Sequence, residues 1–597
     1  MKIILTAIGS KYIHTALGLR SIRAYAKAHG IETELIEDTV QTPLLAVLAE
    51  ITGKEPDVVG LSVHIWNKNY VYSLIRLLRK VMPQLKIIAG GPEVSFEPER
   101  IFNECPQIDY IVMGEGEEVF VSLINALQQN SEPPAHVAFK KDGRTISSGG
   151  TAVVADLDVL EFAYPDLTDV VAGKKIVYYE STRGCPFNCS YCLSGISRNV
   201  RKRSLAKVYA DLDRMIAAGV VLVKFVDRTF NCKKSHAMAI WQFIRDHDNG
   251  VTNFHFEIAA DILDEEEIAL LKTMRPGLVQ LEIGVQTANP DTIHSINRKM
   301  DLARVAQVTE KIRQFHNIHQ HLDLIAGLPL EDYESFGHSF DVVYQMKPSQ
   351  LQLGFLKVLK GSYMEELIPT CDLLYSAAPP YEVLCTKWLS YGDVLELKDI
   401  EEMTEVHYNS RQFTCTLKEL EKEFDTPYEM FSFMAGYYNK NHLFGISHSR
   451  IARYEILWKI IQERLEKNGK CETQGKPENG GVSEKLEQYR DLLMTDLYLR
   501  ENVKKRPDFA GDYTLQKDEL RYINEEILLK DERLAYFGQK NMRKFSHMEQ
   551  FDHAVNEDFK ETILLTKTIL LFDYQNRDPL TNQATVYPIT MNLIKNQ

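Results

Sequence analysis

The sequence predicts an α/β protein built from three parts, and two patterns along the chain predict it. Short apolar runs alternate with amphipathic segments over residues 1–135, and the same alternation recurs six times over residues 175–364. Beyond residue 365 this alternation ends, and longer charged segments with helical periodicity follow. We therefore expect a doubly wound, Rossmann-like parallel sheet, then a partial barrel of six βα units, then a mainly α-helical C-terminal domain.

The length of the chain sets the number of domains. At 597 residues it is too long for a single hydrophobic core. We expect a first domain over 1–135, a linker over 136–174, a barrel over 175–364 and a C-terminal domain over 365–597. An Asp142-Gly143 pair in the linker predicts a hairpin over 137–147.

The individual elements follow from the same patterns. In the first domain we predict helices at 12–29 and 70–81, and strands at 2–6, 33–36, 58–62, 86–89 and 110–113. The six barrel strands are predicted at 175–180, 222–227, 254–258, 278–285, 321–326 and 350–355. Near the C-terminus we predict helices at 450–467 and 522–530, with a polar, Gly-rich linker over 468–483.

Composition and charge narrow the class of protein. Apolar residues make up 44% of the chain and charged residues 25%, as in soluble globular proteins, and the net charge of −14 makes a nucleic-acid partner unlikely. The short apolar run after Met1 predicts a first strand and no signal peptide, and no apolar stretch is long enough to span a bilayer. Nine cysteines, three of them clustered, are typical of a reducing compartment. We therefore expect a cytoplasmic protein without a membrane partner.

The clustered cysteines are Cys185, Cys189 and Cys192, in the segment Thr-Arg-Gly-Cys-Pro-Phe-Asn-Cys-Ser-Tyr-Cys. Three thiolates at this spacing can hold three irons of a 4Fe–4S cluster and leave the fourth iron free to bind a substrate. We therefore predict that these cysteines are the metal ligands and the catalytic centre. Two alternatives remain: a zinc site completed by Cys232 or a histidine, and buried structural cysteines.

The cysteine segment resembles that of the radical S-adenosylmethionine (SAM) enzymes, which share its spacing and keep an aromatic residue at the place of Tyr191. Four later segments match the same family in order, at 225–230, 256–261, 281–287 and 323–329. The resemblance implies that the open iron binds SAM. One electron, from a donor such as flavodoxin or ferredoxin, would then release a 5′-deoxyadenosyl radical.

The resemblance also implies which residues contact SAM. It places Asp227 at the SAM amino group, because a carboxylate suits an ammonium. Gly327 would pack against the adenine, because it has no side chain. The expected SAM contacts are Phe187, Tyr191, Asp227, Glu257, Glu282, Gln286 and Gly327. Taken singly, each of these carboxylates could equally be a surface or ion-paired acid.

The first domain resembles the cobalamin-binding domain that precedes the barrel in many radical SAM enzymes. Glycine or a small polar residue follows strand after strand, which lets a large ligand approach the backbone there. The expected cobalamin contacts are Ser62, Val63, Trp66, Gly90, Gly91, Glu93, Gly114 and Glu115. The alternative is an ordinary doubly wound domain whose glycines only form turns.

One departure from that family concerns the cobalt ligand. Cobalamin mutases and methionine synthases carry an Asp-x-His-x-x-Gly motif whose histidine binds cobalt. Here the same place reads Tyr12-Ile-His-Thr-Ala-Leu-Gly18, without the aspartate and with the glycine one residue late. We expect His14 to begin a helix and not to bind cobalt, and we expect His64 and Trp66 to lie nearer the lower face of the corrin.

Together these resemblances imply a cobalamin-dependent radical SAM methyltransferase acting on an unactivated carbon. One SAM would methylate reduced cobalamin, a second would supply the radical, and the substrate would be an unidentified small molecule or peptide. A rearranging or ring-forming enzyme is one alternative, and a corrinoid-binding sensor or carrier with an inactive radical core is another. We also expect that aromatic residues beyond 365 fill a helical core, and that part of this region covers the barrel mouth.

Overall fold

The computed structural model describes residues 1–196, 198–472, 479–510, 523–528, 535–538, 543–551 and 568–590. It divides into two compact units. The first unit combines Met1–Phe336 with Leu353–Val394, and the second combines Gly337–Gln352 with Leu395–Gln597. In the described part of the chain, no helix combines the length and the apolar character needed to cross a membrane.

The first unit begins with a seven-stranded sheet in the order β2-β1-β3-β4-β5-β6-β7. The first five strands are parallel and confirm the predicted strands to within a few residues; β6 and β7 form the predicted hairpin, which extends the sheet antiparallel to β5. The strands are β1 Ile3–Gly9, β2 Glu34–Thr39, β3 Val58–Ser62, β4 Lys86–Gly90, β5 Tyr110–Val112, β6 Val137–Lys141 and β7 Arg144–Ile146.

Helices cover both faces of this sheet, as a doubly wound domain requires. The strands are therefore apolar on both faces: Ile4 and Ile8 belong to one core cluster, while Leu5 and Ala7 belong to the other. The helices of this region are α1 Leu17–Ala28, α2 Leu44–Gly53, α3 Lys68–Val81, α4 Pro98–Glu104 and α5 Glu117–Gln129. After the hairpin, α6 Thr168–Ala172 leads to the barrel.

The barrel is a six-stranded sheet in the order β15-β14-β13-β12-β11-β8, with β8 and β15 at its edges. All six predicted barrel strands are present. They are β8 Val177–Tyr179, β11 Leu222–Phe225, β12 Asn253–Ile258, β13 Val279–Gln286, β14 His319–Ala326 and β15 Gln350–Phe355. Alternate residues of β12, β13 and β14 are buried and half-buried, so one face packs on helices and the other lines the barrel interior.

Two short strands close a loop between β8 and the next helix. They are β9 Thr182–Arg183 and β10 Arg201–Lys202, which pair antiparallel. We call these four residues the neck, and residues 184–200 between them the cysteine loop. The helices that follow the neck are α7 Leu205–Ala217, α8 Lys234–Asp246, α9 Glu265–Lys272, α10 Pro290–Ser295, α11 Leu302–Arg313 and α12 Tyr333–Gln345.

Residues 365–394, expected to begin the C-terminal domain, pack within the first unit. They include α13 Met364–Leu367, β16 Leu374–Tyr375 and β17 Val383–Cys385. The phenol of Tyr381 anchors this segment, because it donates to Glu93 at 2.6 Å and accepts from Lys68 at 3.0 Å. The domain boundaries drawn from the sequence stay predictions.

The second unit is mainly helical, as expected. Its helices are α14 Tyr391–Met403, α15 Thr414–Leu420, α16 Pro427–Lys440, α17 Arg450–Glu472, α18 Asn479–Arg500 and α19 Ala535–Gly538. The aromatic residues Phe413 and Phe431 fill its core. It also contains an antiparallel sheet that the sequence did not predict, made of β18 Ser546–Phe551, β19 Thr568–Arg577 and β20 Ala584–Thr590.

Two C-terminal predictions fall partly outside the described residues. Of the linker expected over 468–483, residues 473–478 lie outside them, whereas α17 extends to Glu472 and α18 begins at Asn479. The helices are therefore longer than the sequence predicted. Of the helix expected over 522–530, only a π-helical turn at Ile523–Leu528 is described.

Candidate active site

The three cysteines of the motif lie on the cysteine loop, directly after the first barrel strand. Cys185 is buried, and Cys189 and Cys192 are half-buried. Phe187 is also half-buried on this loop. Because the neck pairs Arg183 with Arg201, both ends of the loop are tied together below the cysteines.

The centre of the loop is held by a segment 107 residues further along the chain. The Ser190 amide donates to Ile296 O at 2.9 Å, and the Asn297 amide group donates to Ser190 Oγ at 2.9 Å. Arg298 Nη1 lies 3.0 Å from the Tyr191 hydroxyl and 3.7 Å from Cys189 Sγ. Arg298 thus holds the aromatic ring and the second cysteine of the loop together. The sequence alone did not single out Arg298 for a role in the site.

Among the described residues, no three His, Cys, Asp or Glu side chains converge on a point where one ion could be held. A 4Fe–4S cluster needs no such convergence, because each of its irons takes its own thiolate. The cysteine loop therefore fits a cluster through three separate ligands. Cys232 is half-buried nearby, and burial together with the neighbouring Cys185 raises the pKa of its thiol to about 11.

Asp227 is bonded to the residues that lead into the cysteine loop. It is fully buried, and its carboxylate accepts from the Ser181 amide at 2.9 Å, the Ser181 hydroxyl at 2.6 Å and the Thr182 hydroxyl at 2.7 Å. Burial raises the pKa of Asp227 to about 6 despite these bonds. The carboxylate thus anchors the entry to the cysteine loop, and its expected contact with the SAM amino group stays a prediction.

Glu282 is also engaged by protein groups. Its Oε2 accepts from Lys224 Nζ at 3.0 Å and lies 2.8 Å from His255 Nε2. Burial alone would raise the pKa of Glu282, but the bonds from His255 and Lys224 outweigh it and lower the pKa to about 2. The expected contact with SAM therefore competes with an existing ion pair inside the barrel.

Glu257 lies beside Glu282 in the paired register of β12 and β13. Burial, and then the charge of Glu282, raise the pKa of Glu257 to about 7. On the next strand, β14, His321 is paired with Glu282, and its Nε2 lies 3.1 Å from Asp323 Oδ1. The interior face of the barrel is thus lined by charged groups.

Gln286 and Gly327 differ in what they offer a ligand. Gln286 ends β13 with φ 73°, and its buried Oε1 has no hydrogen-bond partner among the described residues. At Gly327 a Cβ would lie 2.8 Å from Val383 Cγ1. The space beside Gly327 is therefore filled by Val383, and this packing needs a glycine; its expected contact with the adenine stays a prediction.

A cavity of about 640 Å³ lies where the carboxyl ends of the first sheet meet those of β8 and β11. Residues of both domains line it. On the first-domain side it runs from the strand ends down an apolar slot between the sheet and helices α1 and α5, past Leu5, Gly60 and Phe120. Tyr178, Glu180, Arg183, Val226 and Arg228 line it on the barrel side. Ligands of doubly wound sheets bind at this edge, and the volume is in the usual range for ligand sites.

Six of the eight expected cobalamin contacts line this cavity and two do not. Those that line it are Ser62, Trp66, Gly90, Gly91, Gly114 and Glu115. Val63 is fully buried beneath Gly91, and Glu93 is buried against Tyr381 and Lys68. The family resemblance placed these two residues at cobalamin; their side chains serve the packing of the first unit, and their contact with the ligand stays a prediction.

The glycines at the cavity edge serve two purposes. A Cβ on Gly91, which has φ 106°, would lie 2.6 Å from Val63 O, so the backbone itself requires glycine there. A Cβ on Gly90 would have no neighbour closer than 3.8 Å. Because Gly90 lines the cavity, the room beside it is room for a ligand, and in this respect the residues present fit a corrinoid.

Both histidines considered for cobalt lie at the cavity. The prediction that His14 begins a helix is wrong, since α1 begins at Leu17. Instead, His14 Nδ1 lies 2.6 Å from the Tyr178 hydroxyl of the barrel. His64 stacks on Trp66 with ring centroids 4.3 Å apart, and burial lowers the pKa of His64 to about 4.

Comparison with known proteins identifies both domains. Residues 3–124 match the model of the B12 binding domain, and residues 179–343 match that of the Radical SAM superfamily. The chain is a radical SAM protein with an N-terminal B12-binding domain. Residues 370–572 of this radical SAM protein match the model of a family described as 'Protein of unknown function (DUF4080)'.

Three relatives illustrate the range of similar proteins. An uncharacterized methyltransferase of Pyrococcus horikoshii is 24% identical over 398 residues, which cover 65% of this chain and 83% of the relative. The cobalamin-dependent radical SAM methyltransferase TokK of Streptomyces tokunonensis is 25% identical over 47% of this chain and 44% of its own. The anaerobic magnesium-protoporphyrin IX monomethyl ester cyclase of Synechocystis is 29% identical over 42% of this chain and 51% of its own. The matches thus span about half the length of the last two relatives.

A solved structure shares the fold. The cobalamin-dependent S-adenosylmethionine radical enzyme OxsB, with aqua-cobalamin and S-adenosylmethionine bound, matches this radical SAM protein with a TM-score of 0.58. The sequence identity is 14%, over 81% of this chain and 83% of OxsB. The order of a doubly wound domain and a partial barrel is therefore common to both.

The anchoring role of Asp227 can be tested by Asp227→Asn. The amide keeps the shape but loses the charge-assisted bonds to Ser181 and Thr182, so the loop should hold its cluster less well. We expect the iron content after reconstitution to fall severalfold, while SAM affinity per bound cluster stays within about twofold. Asp213→Asn, at an exposed position on α7, is the matched control. Full iron content with SAM affinity reduced about tenfold would restore the SAM-contact interpretation.

The raised pKa of Glu257 predicts a pH-dependent stability. A carboxyl whose pKa is higher in the folded state favours folding below its ordinary pKa and loses that contribution as the pH rises through about 7. The free energy of unfolding of Glu257→Gln, taken relative to the wild type, should therefore be higher at pH 8 than at pH 5, by at most about 3 kcal/mol. The measurement is the difference in Tm at both pH values, with exposed Glu32→Gln as control. Equal differences at both pH values would contradict the raised pKa.

Proposed function

We propose that this protein is a cobalamin-dependent radical SAM methyltransferase that acts on an unactivated carbon of a small molecule or peptide. The observation that carries the proposal is the cavity shared by the strand ends of the B12-binding domain and of the barrel, which Arg183 of the neck also lines. When bound, the cluster and SAM supply a carbon-centred radical, and cobalamin supplies the methyl group.

The residues of the chain have defined tasks in this proposal. Cys185, Cys189 and Cys192 hold the cluster, and Arg298 keeps Cys189 and Tyr191 in place. Gly90 and the apolar slot between the sheet, α1 and α5 receive cobalamin. Gln286 offers its unpartnered Oε1 to SAM or to the substrate. Because both domains line one cavity, the reacting groups can meet away from bulk water.

The cellular setting follows from the same chemistry. All eight cysteines whose side chains are described are free, which suits a reducing compartment, and we place the protein in the cytoplasm. The cluster requires an electron, which we assign to a donor such as flavodoxin or ferredoxin. We propose no membrane or nucleic-acid partner.

The deciding experiment is an anaerobic assay of the reconstituted full chain with methyl-labelled SAM and fractions of cell extract. A methyltransferase transfers the label to a product, whereas a ring-forming or rearranging enzyme consumes SAM without labelling its product. The similarity to the Synechocystis cyclase makes the ring-forming enzyme the second candidate. Binding of cobalamin without any turnover of SAM would instead indicate a corrinoid sensor or carrier.

The cluster ligands can be tested directly. A variant with Cys185, Cys189 and Cys192 all changed to alanine should lose the roughly four irons per chain of the reconstituted protein and remain folded, because the cysteines lie on a loop. Iron analysis and circular dichroism are the measurements. Cys232→Ala is the matched control and should keep its iron. Stoichiometric zinc without iron in anaerobically prepared protein would overturn the cluster assignment.

The cobalamin site can be tested at Gly90. The Cβ of Gly90→Leu would make only ordinary contacts, at 3.8 Å from Val112, and the side chain would occupy the cavity. The variant should therefore leave Tm unchanged and weaken cobalamin binding at least about tenfold. Spectroscopic titration with hydroxocobalamin is the measurement. Gly53→Leu, at the end of α2 and with open space around its Cβ, is the control. Wild-type affinity of Gly90→Leu would remove cobalamin from this cavity.

A further inference from the structure

Each strand of the neck carries one arginine, and both arginines reach the B12-binding domain. Arg183 and Arg201 are paired across the β9–β10 ladder, directly below the cysteine loop. Their side chains are 13% and 8% exposed. Arg183 stands two residues before Cys185, and the sequence assigned no role to either arginine.

Arg183 makes contacts on both sides of the domain boundary. Its Nη2 donates to Glu117 Oε1 at 2.6 Å and its Nη1 donates to Glu115 Oε2 at 3.1 Å, both in the first domain. On the barrel side its Nε donates to Glu180 Oε2 at 2.7 Å. Although burial alone would lower the pKa of Arg183, Glu180 and Glu117 hold it well above the ordinary value.

Arg201 completes the contact from the other strand of the neck. Its two terminal nitrogens donate to the two carboxylate oxygens of Glu115, at 2.9 and 2.5 Å. Glu115 also accepts from the Val154 amide at 2.8 Å. Such bidentate, charge-assisted bonds fix orientation as well as distance.

The carboxylates that receive these arginines stand at the ligand edge of the first sheet. Glu115 follows β5, and Glu117 is the first residue of α5, where the helix dipole favours a negative charge. The side chain of Glu117 is 4% exposed and also accepts from the Ser21 hydroxyl of α1 at 2.8 Å. The neck is therefore joined to the two helices that flank the apolar slot.

Buried charges of this kind resist separation, because parting them leaves uncompensated charge inside the protein. We propose that Arg183 and Arg201 are positioning residues that hold the cysteine loop at a set distance from the strand ends of the B12-binding domain. Transfer between two cofactors requires such a fixed geometry. The idea that this geometry serves transfer between cofactors rests on the proposed function. The coupling of the cysteine loop to the B12-binding domain does not.

The test measures hydrogen exchange of the cysteine loop in the full chain without added cofactors. Glu115→Gln and Glu117→Gln change only the B12-binding domain, yet they should speed exchange in residues 184–200 about tenfold, as loss of a charge-assisted bond implies. Exchange in β11 and β12 should stay within twofold, which excludes general unfolding. Glu118→Gln, exposed and one position away, is the control. Loop exchange within twofold of the wild type in both variants would overturn the proposal.

A double variant separates coupling from a merely structural effect. Arg183→Met removes the cation that Glu117 faces, so adding Glu117→Gln should speed loop exchange less than twofold further. If the effects of the two substitutions on the loop's exchange rate multiply instead, Arg183 and Glu117 act independently and the proposal fails.

A separate arm keeps this inference distinct from the proposed function. The wild type and the same variants are reconstituted with iron, sulfide and hydroxocobalamin, and bound iron and cobalamin are measured. If the wild type binds neither while the variant loops exchange faster, the positioning role stands and the proposed function fails. If the wild type binds both while loop exchange is unchanged in the variants, the proposed function stands and the positioning role fails.

Discussion

A parallel strand leaves its loop at its carboxyl end, so a parallel sheet gathers all such loops along one edge. The first unit contains two such sheets, and the ligand edges of both open on one cavity. On one side this edge offers mainly glycine and small polar residues, and on the other it offers Arg183 of the neck and the ends of β8 and β11. The remaining features of the site depend on this opposition, because the neck that closes the cysteine loop reaches the apolar slot only from the barrel side.

The local sequence was enough to predict most of the strands of the two parallel sheets and to identify the cysteine loop as a site. Strands such as β3 and β4 are short apolar runs bounded by polar residues, and that pattern does not depend on distant contacts. Three thiolates at fixed spacing likewise define a site within eight residues. The start of α1 was different: residues 12–16 share the helical periodicity, but Thr15 bonds to Tyr164 at 2.9 Å and to Ile176 O at 2.8 Å, which holds this segment as a loop.

The roles of single carboxylates could not be read from the sequence, because their partners are far along the chain. Asp227 bonds to a serine 46 residues away, and Glu93 bonds to a tyrosine 288 residues away. A family motif locates such residues at the end of a strand, but only the fold shows whether the carboxylate faces the ligand or the protein. The sheet of the second unit was missed for a related reason: its strands lie among charged segments whose helical periodicity dominated the pattern.

The neighbouring glycines at positions 90 and 91 are constrained by different things. A side chain at position 91 would collide with the carbonyl of Val63, so the folded backbone itself requires glycine there. A side chain at position 90 would collide only with what occupies the cavity. In a divergent descendant of this protein, a side chain at 90 beside a retained glycine at 91 would therefore mark a domain that still folds but has given up its ligand. Loss of both would mark a domain whose backbone has been rebuilt. Two adjacent positions thus allow the loss of a cofactor and the loss of a fold to be told apart in evolution.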